Sequence, residues 1–369
     1  MTSVIPDDPL APPPAPPTAA PPRRRWSLLV LVTVATVVVV LVAGTVIRLP
    51  YRIFSPGSAT PVQDVVKVSG ATTYPHRGAL LFLTVSVTRG RPNVWRFLQA
   101  ELDDDSQIIG EDEYLGGQSP SRVQRENVQA MDESQLVAKK VALEQLGYRV
   151  TATGSGAEVT NVLAGSPADG NLKVGDVVTE VDGAPVRLSD QLGAILRAAP
   201  VGTTFTLTVT RGGETRSVPI TTAAAPSGPL KGKPYVGIVP VTKDLKVQFP
   251  VDVTIDPGEV SGPSAGLAFT LAIIDELSPG NLTGGKKVAV TGTIAPDGSV
   301  GDVGGVRQKT AAAISAGARL FLVPRAEVKA ARARAGDDLP VYGVDSIDDA
   351  LRVLQQHGGA PVREVAPAA

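Results

Sequence analysis

Two side chains in this sequence, a serine and a lysine, each stand where a helix is about to begin. Ser264 lies in Gly262-Pro263-Ser264-Ala265-Gly266, after the strand-like run Val251 to Ile255 and the turn-prone Asp256-Pro257-Gly258. The next residues, Leu267 to Ile274, are apolar on nearly every face, which predicts a buried helix. At such a helix start the leading amides lack partners and the dipole is positive. A hydroxyl there can act as a nucleophile whose developing oxyanion is stabilised by the flanking backbone, with Gly262 and Ala265 as the supporting neighbours. The same position also suits plain capping, because serine is a preferred N-cap. Lys309 ends Gly304-Gly305-Val306-Arg307-Gln308-Lys309, and the helical run Thr310 to Ala316 follows and closes at Gly317. A positive helix end and burial both disfavour an ammonium. Together they push a lysine toward the neutral amine that can take a proton from a serine hydroxyl.

Composition narrows the alternatives. The 369 residues contain no cysteine and only two histidines, His76 and His357. Thiolate chemistry and disulfides are therefore unavailable, and a Ser-His-Asp triad or a His-rich metal site has little to draw on. No metal and no cofactor are expected. A net charge of -1 and a pI near 6.2 give no electrostatic footprint for nucleic acid. Apolar residues make up 43% of the chain, enough for about two cored domains at this length.

The elements that must position Ser264 and Lys309 follow in chain order. Residues 1–22 are Pro- and Ala-rich and read as an extended, disordered tail. Arg23-Arg24-Arg25 precede an apolar run over 26–47, long enough to cross a hydrocarbon core of ~30 Å, without a clear cleavage site. The expectation is a single-pass anchor in the cell membrane with the N-terminus cytoplasmic and the bulk of the chain outside the cytoplasm. Over 55–147 the chain is polar with scattered structure, including the strand-like Gly78 to Val87 and a helix over Ser134 to Leu146. The acidic runs Asp103-Asp104-Asp105 and Glu111-Asp112-Glu113 lack calcium-loop spacing and read as solvated loops. A block of short strands spans 148–225, with a helix over Leu188 to Ala198, and Ala223 to Pro229 reads as a linker. The second globular unit is expected to begin near Pro234 and to run to 357, with Tyr235 to Val239 as an early strand. Gly280 to Lys286 matches the first seven positions of a phosphate-binding loop. Lys287 replaces the required Ser or Thr and a strand follows, so no nucleotide site is expected. A last helix over Ile347 to Leu354 carries a Ser346/Asp349 start signal, and fraying is expected from Gly358 to Ala369.

Two resemblances give these segments a shape. Ser166-Pro167-Ala168, Gly175-Asp176-Val177-Val178 and Val181-Asp182-Gly183 resemble a PDZ domain of the bacterial protease-associated kind. That resemblance implies a peptide groove between the helix and a strand near Ala157 to Val162, with Gly154-Ser155-Gly156 as the carboxylate-binding loop. The motifs GPSAG at Ser264, Thr291-Gly292-Thr293-Ile294, and Gly304 to Lys309 resemble the proteolytic domain of the Lon family, followed by its next strand, Leu320 to Pro324. This implies a Ser264–Lys309 dyad with Thr291 as hydrogen-bond partner of the amine. The acidic residue often found before the serine motif is Ser261 here, and no ATPase module is recognised. The combination resembles the bacterial membrane-anchored PDZ/Lon-like proteases: a multi-domain α/β chain with an anchor, a β-rich PDZ domain and a Lon-type α+β proteolytic domain. In that reading segment 55–147 packs on the protease and the PDZ domain is inserted between its parts. The implied function is ATP-independent endopeptidase activity on unfolded or membrane-associated protein segments, with room for a homo-oligomer. The competing expectation is an inert membrane-anchored PDZ scaffold.

Overall fold

The computed structural model describes residues 23–226 and 231–365, with side chains from Leu28 onward. The expected Pro-rich tail and part of the linker lie outside the described residues. The chain divides into two compact units, one of residues 1–55 and 87–117, the other of residues 56–86 and 118–369.

The first unit is built on helix α1 (Arg23–Val46), whose stretch Leu28–Val46 is apolar and almost wholly exposed. Helix α2 (Val94–Glu101) starts at Asn93, whose side chain accepts the Arg96 amide, and helix α3 (Glu111–Leu115) is a short turn. Tyr51 to Phe54 pair antiparallel with the strand Gln107–Gly110. Glu111, expected in a solvated loop, is instead buried. Arg52 reaches it at 2.7 Å and Arg91 at 2.6 Å, and these guanidinium bonds hold its carboxyl below the usual range. A charge run is solvated only when no cation folds onto it, and here two do.

In the second unit a sheet runs in the order Val341–Val344, Leu320–Pro324, Lys287–Val290, Ala79–Val87. The pairings among these strands are parallel. A parallel sheet is covered on both faces, so its strands are apolar throughout rather than alternating. The side-chain period of two then deals neighbours to opposite cores. Leu80 and Phe82, Val288 and Val290, Leu320 and Leu322 enter one core; Leu81 and Leu83, Ala289, Phe321 and Val323 enter the other. The first core is closed by helices α4 (Pro120–Gln145), α6 (Gly266–Leu277) and α9 (Ile347–Gln356), the second by α7 (Val306–Ser315) and α8 (Val328–Ala335). Helix α4 starts fourteen residues before the sequence-predicted helix. Ser119 caps it by accepting the Arg122 amide, and Pro120 occupies the first turn, where its missing N–H costs nothing.

A second sheet has the order Glu214–Thr221, Thr204–Arg211, Val177–Val181, Gly156–Val162, Ile238–Lys243. Helix α5 (Ser189–Ala198) lays Leu192 and Leu196 on its core. Val236, expected to open the second globular unit, is buried in this core, and Ile238–Lys243 is the sheet's last strand. At the other end of the chain, residues 358–365 do not fray. Gly359 N donates to Leu354 O, Ala360 N to Asn281 O and Val365 N to Leu146 O, while Val362 and Val365 pack on the first core.

Candidate active site and peptide-binding edge

Ser264 lies in a one-turn 3₁₀ segment, Pro263–Ala265, that leads straight into α6. No side-chain cap is made at either helix start, so the hydroxyl does not serve the capping role that the sequence left open. The turn is held from three directions. Gly262 N donates to Asn127 O of α4 at 2.9 Å, Ser134 Oγ of the same helix donates to Pro263 O at 3.1 Å, and Gly292 N donates to Ser264 O at 3.0 Å. Gly262 has φ +96°, open to glycine at little cost. Gly266 answers a different demand, because a Cβ there would stand 2.7 Å from Ser134 Oγ and 2.9 Å from Ile294 Cγ2. Both glycines of the motif therefore place the serine.

Lys309 is on the first turns of α7, which begins at Gly305 in the left-handed region (φ +68°); its amide donates to Gly305 O. The side chain is 2% exposed. Its Nζ donates to Thr291 Oγ1 at 3.1 Å, and Thr291 Oγ1 donates to Ser264 O at 3.2 Å. Thr291, fully buried at the end of the central strand, thus joins the amine to the serine turn. Burial lowers the Lys309 pKa from 10.5 to about 8, opposed weakly by the negative charge of Glu327. The structure brings Ser264, Lys309 and Thr291 together, with Ala265 buried beside them. It takes the Gly262 amide away from any substrate by committing it to Asn127.

Neither histidine competes for the role of base. His76 Nδ1 is 3.4 Å from Glu276 Oε1, at the far end of α6 from Ser264, and the His357 ring packs on Tyr342. The glycine-rich segment 280–286 has no phosphate cradle to offer either. Leu282 N is taken by Asp275, Thr283 N by Asn281, Gly284 N by Asn281 O, and Gly285 and Lys286 N by Thr283.

The comparisons with known proteins follow the same division. Residues 145–222 match the family model of the PDZ domain, and residues 241–356 that of the Lon protease (S16) C-terminal proteolytic domain. The chain carries a PDZ domain and a Lon-type proteolytic domain. A Lon protease from Phenylobacterium zucineum is 33% identical over 116 residues, which are 30% of this chain and 14% of that protein. The archaeal Lon protease of Thermococcus kodakarensis is 32% identical over 101 residues, 27% of this chain and 16% of that one. The match thus spans about a seventh of these curated relatives. The crystal structure of the PDZ domain of an SdrC-like protein from Listeria innocua is 29% identical and covers 23% of this chain and 92% of its own, with a TM-score of 0.21.

Within the PDZ domain the strand expected to line the groove is not an edge. Gly156–Val162, the strand expected to receive a peptide, is interior: Val177–Val181 pairs on one side and Ile238–Lys243 on the other. Gly154-Ser155-Gly156, expected as a carboxylate-binding loop, is closed over by the same segment. Ser155 N donates to Lys243 O and Ser155 Oγ to Asp244 Oδ2, and a Cβ on Gly154 would stand 2.4 Å from Thr242 Cγ2. The terminal strand of the sheet is therefore Ile238–Lys243, and α5 runs beside it, with the Ser189 amide donating to Thr242 Oγ1. Val239 and Val241 on this strand are 45% and 44% exposed. The strand lies beyond the PDZ match and runs into the start of the Lon match, which is why motif spacing inside 148–225 did not reveal it as the sheet's last strand. Asn127 and Ser134, which position the serine turn, were also missed: Asn127 lies in the first half of α4, which has no apolar periodicity to announce it, and Ser134, though inside the expected helix, bonds a residue 129 positions away.

Proposed function

We propose that this chain is an ATP-independent serine endopeptidase in which Ser264 is the nucleophile and Lys309 the general base. What supports the reading is one arrangement: a buried amine joined through the Thr291 hydroxyl to the turn that carries an uncapped serine. The neutral amine takes the Ser264 proton as Oγ attacks the scissile carbonyl carbon. The resulting ammonium gives that proton to the leaving amine as the C–N bond breaks, leaving the acyl group on Oγ. The free amine then takes a proton from water, hydroxide attacks the ester, and the proton returns to Oγ. The amides of Ser264 and Ala265 lead the turn, where helix geometry supplies no acceptor, and stabilise the oxyanion. Thr291 keeps the amine aimed at the serine turn.

With a pKa of about 8, roughly a tenth of Lys309 is neutral at pH 7, several-hundred-fold more than for an unshifted lysine. The rate therefore climbs with pH up to about 8 and then levels. Helix α1 anchors the chain in a bilayer, with its N-terminus on the cytoplasmic side and the two domains outside. A peptide adds as a strand to the outer edge of Ile238–Lys243, beside α5. Substrates are then unfolded or membrane-associated protein segments. The test is the full-length chain in detergent, offered an unfolded protein and a serine-reactive phosphonate. Ser264 becomes labelled and cleavage occurs, while Ser264→Ala and Lys309→Ala each abolish turnover and leave PDZ peptide binding intact. Absence of labelling and turnover in the unaltered chain would favour the inert scaffold.

A further inference from the structure

Helix α2 carries apolar residues on two opposite faces; one packs into its own unit, and the other meets protein only where Trp95 touches α1. Phe97 and Ala100 face its own unit, with the Phe97 ring 5.1 Å from Tyr51 and Ala100 buried. Trp95, Leu98 and Leu102 fall at i, i+3 and i+7, so they line a single face of the helix and its cap residue. They are 37%, 46% and 88% exposed. A stripe of this kind, one-sided and close-spaced, differs from the isolated exposed apolar residues that every surface carries.

The position of the stripe says what covers it. Trp95 Nε1 donates to Leu41 O at 3.1 Å, and the indole lies on Gly44, where a Cβ would stand 2.5 Å from the ring. Gly44 is buried in an otherwise exposed stretch of α1, so the contact is a fitted one. Leu41 and Gly44 belong to the last turns of the apolar stretch Leu28–Val46. At 1.5 Å per residue the indole sits about 3–8 Å inside the C-terminal end of that stretch. If the stretch spans a bilayer to Val46, α2 cannot stand in bulk water. Its depth is that of an interfacial helix, about 5–10 Å into the headgroup and acyl boundary, and tryptophan is the side chain that prefers this level.

We infer that α2 is a second membrane contact, a short helix lying in the interface of the leaflet at the C-terminal end of α1, with Trp95, Leu98 and Leu102 in the lipid. The inference rests on the reading of α1 as a spanning helix. Its effect is to fix the first unit against the bilayer through two attachments instead of one flexible exit. Exposed Arg48, Arg91 and Arg96 and exposed Asp103 and Asp104 share this region, so a lipid without net charge tests the apolar contact by itself.

The native chain has no cysteine, so single-cysteine variants report one position each. Leu102→Cys, Val37→Cys and Glu214→Cys are labelled with an environment-sensitive fluorophore in the full chain and reconstituted into phosphatidylcholine vesicles. Glu214, 73% exposed at its side chain, gives the water value. The Leu102 label is expected to emit to the blue of the Glu214 label and to be quenched more by lipid brominated near the headgroup than by lipid brominated deep in the chains. The Val37 label shows the reverse order. Adding Leu98→Asp to the Leu102→Cys chain returns its emission toward the water value while Val37 stays buried. A Val37 label in lipid with a Leu102 label in water overturns the inference and spares the anchor. A Val37 label in water overturns both. A blue-shifted Leu102 label that no brominated lipid quenches means that protein covers the stripe, and also overturns it.

Discussion

Replacing Lys309 by methionine should make the protein inactive and more stable. Carrying the ammonium in its buried site lowers the pKa from 10.5 to about 8, and each unit is worth about 1.4 kcal/mol. The charged form therefore costs the folded state about 3 kcal/mol at neutral pH. Methionine is of similar length, fills the same space and needs no solvation, but it gives up the hydrogen bond to Thr291, worth about 1 kcal/mol. The expected net gain is about 2 kcal/mol at pH 7, or a Tm rise of about 4–8 °C for a domain of this size. The pH dependence fixes the cause. Between pH 8 and 10.5 the unfolded chain holds a proton on this lysine that the folded chain has released, so wild-type stability rises with pH there. The advantage of Lys309→Met is thus full below pH 8 and shrinks as pH approaches 10.5. Thermal and urea unfolding of both full-length proteins in the same detergent, at pH 7 and pH 10, measures it. A variant less stable than wild type at pH 7, or a gain that pH leaves unchanged, would refute the claim that this lysine is held for its chemistry at the expense of stability.

Three further outcomes follow from the same geometry. Thr291→Val, nearly isosteric at a fully buried site, should lower kcat by about 10–100-fold with little change in KM, and Thr291→Ser should restore most of it. Val241→Asp, on the exposed edge of Ile238–Lys243, should weaken PDZ peptide binding at least several-fold by isothermal titration and leave turnover of short unanchored peptides unchanged. Residues 241–356, the segment matching the Lon proteolytic domain, should not fold alone. They lack the strand Ala79–Val87, whose Leu80, Leu81, Phe82 and Leu83 are each at most 3% exposed. Burying four such side chains contributes about 6–12 kcal/mol, as much as a whole domain's stability. Circular dichroism and proteolysis of that fragment decide the point.

The serine and lysine were legible because each sits in a short motif whose glycines have local reasons that leave a mark in the sequence. Gly262 and Gly305 both have positive φ, and Gly266 admits no Cβ. The strands over 79–87, 287–290 and 320–324 were legible for a similar reason, since burial on both faces makes them apolar runs. What stayed hidden depended on partners far along the chain. Glu111 looked solvated because its arginines lie 59 and 20 residues away in sequence. The PDZ edge strand was misassigned because it enters the sheet from the far side of a linker, and hydrophobic pattern alone does not say which of two β-rich neighbours a strand will join.

The order of the sheet explains why the pieces of the candidate site are scattered through the chain. Lys287–Val290, which ends at Thr291, needs a neighbour on each side, and it takes one from before the PDZ domain and one from after the serine motif. Helix α4, also from before the PDZ domain, supplies Asn127 and Ser134 to the serine turn. The serine is therefore held by residues on both sides of an inserted β domain, and its edge strand, Ile238–Lys243, is followed within the same chain by the strand Asp252–Ile255 and the Gly262 turn. Asp252–Ile255 pairs in turn with Val66–Ser69. A peptide added to the PDZ edge would engage a strand only twenty-one residues from Ser264, with a paired strand fixed to the protease core between them. On the proposed reading, that pairing separates the two sites mechanically, so a peptide held on the PDZ edge would not act as a lever on the serine turn.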